Sequence, residues 1–152
     1  MSLPILQSQA SRKKTVISKQ WVTVFSVGGR RFAASMEEVS GIVQWPSVAP
    51  VPSQTPFVNA VAWRGKEVLP IFDLAGQFHL TIESDPPLCL LAKHEDGLVA
   101  VRIDSDMPIL ESIDHASIQL SDGADPVVVG TCSINDQPID LLCLTKLGKT
   151  PA

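Results

Sequence analysis

Four times along this chain, two apolar and β-branched runs are joined by a turn of two or three residues. WVTVFSV and RRFAAS meet at Gly28-Gly29, and FVNAVAW and EVLPIFDL meet at Arg64-Gly65-Lys66. Further on, PLCLLAKHEDGLVAVRID turns at Asp96-Gly97, and PVVVGTCSINDQPIDLLCL turns at Asn135-Asp136. Gly, Asn and Asp tolerate the positive φ that tight hairpin loops require, so each junction predicts an antiparallel pair. A lone hairpin is marginal in water and must share a sheet with others. Four of them in 152 residues, with only short helical stretches between, predict closed or partly closed β-barrels. Hairpins in both halves of the chain hint at two similar subdomains.

The segments between the hairpins are short. SMEEVSGIV, from Ser35, predicts a brief helix: Ser35 can cap it, and Glu38 stands three residues on as in a capping box. Met36, Val39 and Ile42 or Val43 recur there at helical spacing, and Gly41 is expected to end it. Pro46, Pro50, Pro52 and Pro56 fall within one stretch that predicts an extended surface loop outside any ladder. Residues 73–79 fit one or two helical turns, residues 104–116 are mixed, and SIQLSDGADP reads as loop. TKLGK suggests a last helical turn closed by Gly148.

Hydrophobic residues make up 45% of the chain, but aromatics only 5% and Tyr is absent, so Val, Ile and Leu must fill the core. No apolar run approaches the roughly 20 residues of a membrane span. The basic residues near the N-terminus follow its weak apolar stretch, the reverse of a secretory signal. The expectation is a soluble, cytoplasmic protein without direct membrane insertion. Cys89, Cys132 and Cys143 each lie inside an apolar run with no C-x-x-C spacing, which predicts buried reduced thiols in place of a zinc site or a disulfide framework.

Charge is unevenly placed. Residues 1–19 hold four basic residues and no acid, and are expected to form a flexible basic tail. The remainder holds eight Lys and Arg against sixteen Asp and Glu. Such an acidic body argues against nucleic acid as the partner.

Catalytic chemistry finds little support. Asp114-His115 with Ser112 and Ser117 is a sequence neighbourhood and not a triad, whose members meet through the fold. Asp104 and Asp106 lack the further oxygen ligands and the Gly of a calcium loop. Gly28-Gly29 has no phosphate-loop spacing. No cofactor or metal is expected, and no enzymatic activity. Arg64 remains, a guanidinium at a hairpin tip beside Trp63 and Gly65, suited to bidentate or stacking contacts. Spacing alone fits a solvated turn arginine equally well.

The stretch W-R-G-x-x-V-L-P-I-F-D-L resembles the CheW-like domain family, whose pattern there runs G-V-x-N-L-R-G-x-x-x-P-V-x-D-L. Arg64, Gly65, Pro70, Asp73 and Leu74 match. FSVGGRRFAASMEEV resembles the family's opening strands and helix, PVPSQTPFV its Pro-rich loop, LVAVRIDSDM its "valvVDeV" strand with a match at Asp104, and GTCSINDQPIDLLCL its closing hairpin. The resemblance covers about residues 20–148, and residues 20–149 are taken as the domain. It implies a mainly β fold of two small packed β-barrel subdomains, about five strands each and SH3- or OB-like, with a few short helices. It also implies a non-catalytic chemotaxis adaptor whose partners are the regulatory domain of a CheA-type histidine kinase and the cytoplasmic tip of a chemoreceptor, at membrane-associated arrays. The length is expected to fit the stand-alone adaptor and not the kinase or the receiver-bearing type. Partner contacts implied by the resemblance fall on Arg64, Gly65, Asn59 and Gly41; Trp63 and Val61 are candidates for a second contact region on the apolar inter-barrel surface, and each fits the core equally well. The sequence departs from the pattern at Gly41 (Glu in the family), Asn59 (Gly), Ala62 (Asn) and Cys143 (Asp). Those departures imply a diverged member as the alternative, for instance a regulatory subunit of a type IV pilus chemosensory system that binds only one of the usual partners.

Overall fold

The structure, a computed structural model, describes residues 19–149. The basic tail expected over residues 1–19 lies outside the described residues apart from Lys19, which opens the first strand. Twelve strands follow: β1 (Lys19–Val27), β2 (Arg30–Ser35), β3 (Val39–Gln44), β4 (Ser47–Pro50), β5 (Val58–Arg64), β6 (Glu67–Phe72), β7 (Leu88–His94), β8 (Gly97–Ile103), β9 (Ile109–Asp114), β10 (Gln119–Leu120), β11 (Val128–Ile134) and β12 (Gln137–Leu142). One α-helical turn, α1 (Leu74–Gln77), and three 3-10 turns complete the described fold.

The strands form two six-stranded sheets, ordered β10-β11-β12-β2-β1-β9 and β3-β7-β8-β6-β5-β4. In each sheet two hairpins sit side by side, and their second strands pair in parallel, β12 with β2 and β6 with β8. The first sheet curls until β9, at one edge, lies against β11 near the other. The subdomains are therefore not the two halves of the chain, because the second sheet is inserted between β2 and β9. Even so, β5-β6 and β11-β12 are built alike, seventy residues apart. Each carries a bulge at its start, between Val58 and Ala60 or between Val128 and Gly130. Each is closed by an amide after the hairpin: Asp73 N–H donates to Phe57 O at 2.7 Å, and Cys143 N–H to Val127 O at 2.7 Å.

All four expected hairpins form. Gly28 and Gly29 take φ of +59° and +85°, and Asn135 and Asp136 take +52° and +63°. Two turns sit one residue from the expected place. Glu95 and Asp96 form the β7–β8 loop, with Gly97 opening β8, and only Gly65 and Lys66 lie between β5 and β6, so Arg64 ends its strand paired with Glu67.

Two expectations are corrected. The helix from Ser35 is a single 3-10 turn, Met36–Glu38, and Val39 to Gln44 is strand β3. A bulge between Val39 and Gly41 inserts one residue, so Val39 and Ile42 face the same side. That produces an i, i+3 spacing in a strand, and it mimics a helix. The Pro-rich stretch does enter a ladder: Ser47–Pro50 pairs with Trp63–Ala60 as an edge strand, where a proline without an N–H leaves no inner ladder bond unmade. Inside the sheet, Pro70 of β6 pairs with β5 only, and β8 joins from Ile71 onward.

Three apolar clusters hold the fold. Phe25, Val27, Phe32, Phe72, Leu90, Val101, Ile103, Leu142 and Leu144 fill the space between the sheets. Val22, Val24, Ile113, Ile134, Ile139 and Leu141 line the concave side of the first sheet, and Ala62, Leu69, Ile71, Cys89, Leu91 and Ala100 that of the second. Cys89 and Cys132 are buried as expected, and Cys143 is only partly so. No helix among the described residues is long and apolar enough to cross a membrane.

Candidate functional site

Strand alternation decides what the β5–β6 hairpin shows to solvent. Ala62 is 1% exposed and packs with Leu69 in the second sheet's interior, while its neighbour Trp63 is 44% exposed. Trp63 lies opposite Val68, itself 54% exposed, so the hairpin presents an apolar cross-strand pair left exposed by the described residues. Arg64 is exposed at the tip, and Gly65 supplies the φ of +62° that lets the loop turn in two residues. Arg64 makes no salt bridge with the described residues. Trp63, Arg64 and Gly65 thus adjoin at the tip, with the Trp63 and Arg64 side chains on opposite faces of the strand.

Asn59 and Gly41 stand apart from that tip. Asn59 is the extra, exposed residue of the bulge opening β5, five residues and roughly 17 Å along the strand from Arg64. Gly41 lies in edge strand β3, registered with Leu91, and a Cβ there would meet nothing within 4 Å. Ala62 and Cys143, the other two departures from the family pattern, sit inward: Ala62 in the core, and Cys143 half-buried with its Sγ 3.7 Å from Glu38 Oε2 and 3.1 Å from Thr145 Oγ1. Glu38 does not form the expected capping box. Its Oε1 accepts from Leu144 N–H at 2.8 Å, tying the first 3-10 turn to the last.

The remaining polar groupings are engaged locally. Asp104 is 8% exposed and accepts from Gly28 N–H at 2.9 Å and Gly29 N–H at 2.8 Å, so its carboxylate clamps the first hairpin turn. Asp114 accepts from Ala116 N–H at 3.0 Å, Ser117 Oγ donates to Asp114 O at 2.6 Å, and His115 Nδ1 lies 3.1 Å from Gln20 Oε1. Among the described residues no hydroxyl is held against that imidazole. Among the described residues no group of three or more His, Cys, Asp or Glu could hold a metal ion. Burial pushes the Cys89 thiol up to about 11 and raises that of Cys132, which keeps both in the unreactive neutral form.

Sequence reasoning missed one feature near the hairpin. The Arg102 guanidinium lies 5.9 Å from the Trp45 ring centroid, on the second sheet beside Cys89. The two residues are 57 positions apart, and no local pattern connects them.

A family model described as CheW-like domain matches residues 22–150. No curated protein sequence matches the chain. Among solved structures, it is similar to the scaffolding protein TtCheW from Thermoanaerobacter tengcongensis, with a TM-score of 0.72 over 86% of this chain and 95% of that one. Sequence identity to it is 18%, so the likeness speaks for the fold.

Proposed function

Because this chain belongs to the CheW-like domain family, we propose that it is a non-catalytic cytoplasmic adaptor coupling chemoreceptors to a CheA-type histidine kinase. The regulatory domain of that kinase and the cytoplasmic tip of a receptor are its two partners, in chemotaxis or a related motility pathway. The observation that carries this reading is the β5–β6 hairpin tip, where a solvent-facing Trp63–Val68 pair sits beside an arginine free of salt bridges to the described residues. Interface hot spots are enriched in such Trp and Arg side chains. Arg64, Gly65 and Trp63 form the centre of the contact, with Asn59 and Gly41 at its periphery.

A second reading has its own support. Asn59 and Gly41 are the two departures that do not face the core, and Gly41 leaves open space where the family has a Glu side chain. A diverged regulatory subunit that keeps one partner and has lost the other, as in a type IV pilus chemosensory system, fits that pattern. Co-purification of the protein with the kinase regulatory domain and with a receptor-tip fragment separates the two. Binding to both supports the coupling adaptor and binding to one the regulatory subunit, while binding to neither refutes both.

A further inference from the structure

The second sheet closes on itself where the chain passes from β3 to β4. Only Trp45 and Pro46 separate Gln44 from Ser47, and three Cα steps span at most roughly 11 Å. Gln44 is registered with Leu88, one step from the Cys89–Arg102 pair. Ser47 is registered with Trp63, one step from Arg64. The closure therefore sets Trp45 in the short link between the strand pairs that carry Arg102 and Arg64. Both arginines also point to the same side. Arg64 continues the series Ala60, Ala62 and Arg102 the series Leu98, Ala100, and all four of those residues line the sheet's interior.

One contact and one weaker electrostatic effect agree with this placement: Arg102 lies over the Trp45 ring, and the Arg64 charge slightly favours the ionised thiol of Cys89, the residue paired with Arg102. Both guanidiniums are exposed, and neither makes a salt bridge with the described residues. Glu67, opposite Arg64, is not within ion-pair distance of it.

We propose that Arg64, Arg102 and Trp45 form one recognition site for paired carboxylates, filled by an acidic Asp- or Glu-bearing segment of the protein partner. Each guanidinium presents a planar fork matched to a carboxylate, and the half-buried indole packs the methylene stems of glutamate side chains. Nucleic acid is disfavoured by a body with twice as many acids as bases beyond residue 19. The inference rests on the adaptor reading only in assigning the carboxylates to its partner.

The test titrates a tetra-glutamate peptide, a tetra-glutamine peptide and inorganic phosphate into the isotope-labelled full chain, followed by nuclear magnetic resonance. Tetra-glutamate should move the Arg64 and Arg102 side-chain Nε–H signals and the Trp45 indole N–H together, and tetra-glutamine should move none of them. Arg64→Gln and Arg102→Gln should each weaken peptide binding at least about tenfold, the loss of one charge-assisted pair. Arg31→Gln, on the other sheet, should change it less than about twofold. Arg102→Lys, which keeps the stem on Trp45, should fall between and guards against a variant that misfolds. Shifts spread evenly over all surface cations, tighter binding of phosphate than of tetra-glutamate, or insensitivity to Arg102→Gln would each overturn the proposal. Binding of the kinase regulatory domain and of the receptor tip that both survive Arg102→Gln unchanged would overturn it while leaving the adaptor reading intact.

Discussion

Asp104→Ala probes the tie between the two sheets. The Asp104 carboxylate, just past the end of β8 in the second sheet, accepts two amides from the β1–β2 turn in the first, at 2.9 Å and 2.8 Å. Its own N–H donates to Ser26 O at 2.9 Å. The turn it clamps has positive φ at both residues, and the carboxylate is nearly buried. Alanine leaves two amides without an acceptor. Each hydrogen bond to a charged group is worth about 1.5–3 kcal/mol. Exposed Gly29 can regain water while half-buried Gly28 regains less, so the expected net loss is about 2–4 kcal/mol. Urea unfolding should show a lower midpoint at unchanged slope. A thermal melt should fall by about 6–12 °C, at about 3 °C per kcal/mol for a domain of this size. Asp104→Asn, which keeps one acceptor, should lose about half as much. A change below about 0.5 kcal/mol for the alanine variant would refute the clamp and return Asp104 to the status of an ordinary loop acid.

Further expectations follow from burial and backbone geometry. Gly28→Ala should destabilise by more than about 2 kcal/mol, since its Cβ would stand 2.9 Å from both Leu80 Cβ and Thr81 O at a φ of +59°. Gly29→Ala meets nothing within 4 Å and should cost only about 1–2 kcal/mol for its backbone conformation, as paired urea titrations would show. Ala62→Leu should cost about 1–3 kcal/mol by overpacking a site that is 1% exposed, whereas Arg64→Ala should stay within about 0.5 kcal/mol of the parent by the same melt. The Cys89 thiol is raised in the fold to about 11, so the unfolded chain loses this proton first as pH rises. The Cys89 contribution should be flat below about pH 8 and cost about 2–3 kcal/mol between about pH 9 and 11, and the difference between the parent and Cys89→Ala over that range should show it.

What the sequence makes legible here is local. Turn pairs such as Gly28-Gly29 and Asn135-Asp136 carry their own backbone requirement, so the hairpins can be read from them directly. Strand β3 cannot, because its bulge gives Val39 and Ile42 a helical spacing. Strand β4 is hidden by Pro50 within it and Pro46 before it, and Pro50 is tolerated because the strand is an edge, which is a property of the assembled sheet. The order of strands is equally invisible from local pattern: β1 and β2 find their sheet with β9 to β12 at the far end of the chain. For the candidate site, Trp63, Arg64 and Gly65 can be picked out because a hairpin tip is a sequence feature. Arg102 and Trp45 meet only because β3 and β8 pair on either side of β7. Ala62 shows the same limit in reverse: beside an exposed tryptophan it looks like a contact position, yet alternation buries it.

The most direct test of the central claim is a calorimetric titration of the kinase regulatory domain and of a receptor-tip fragment into the parent protein and Arg64→Ala. The adaptor account predicts that the parent binds both, and that Arg64→Ala, with an unchanged melting temperature, loses affinity for at least one by about tenfold or more. No binding of either by the parent, or equal binding by a folded Arg64→Ala, would contradict it.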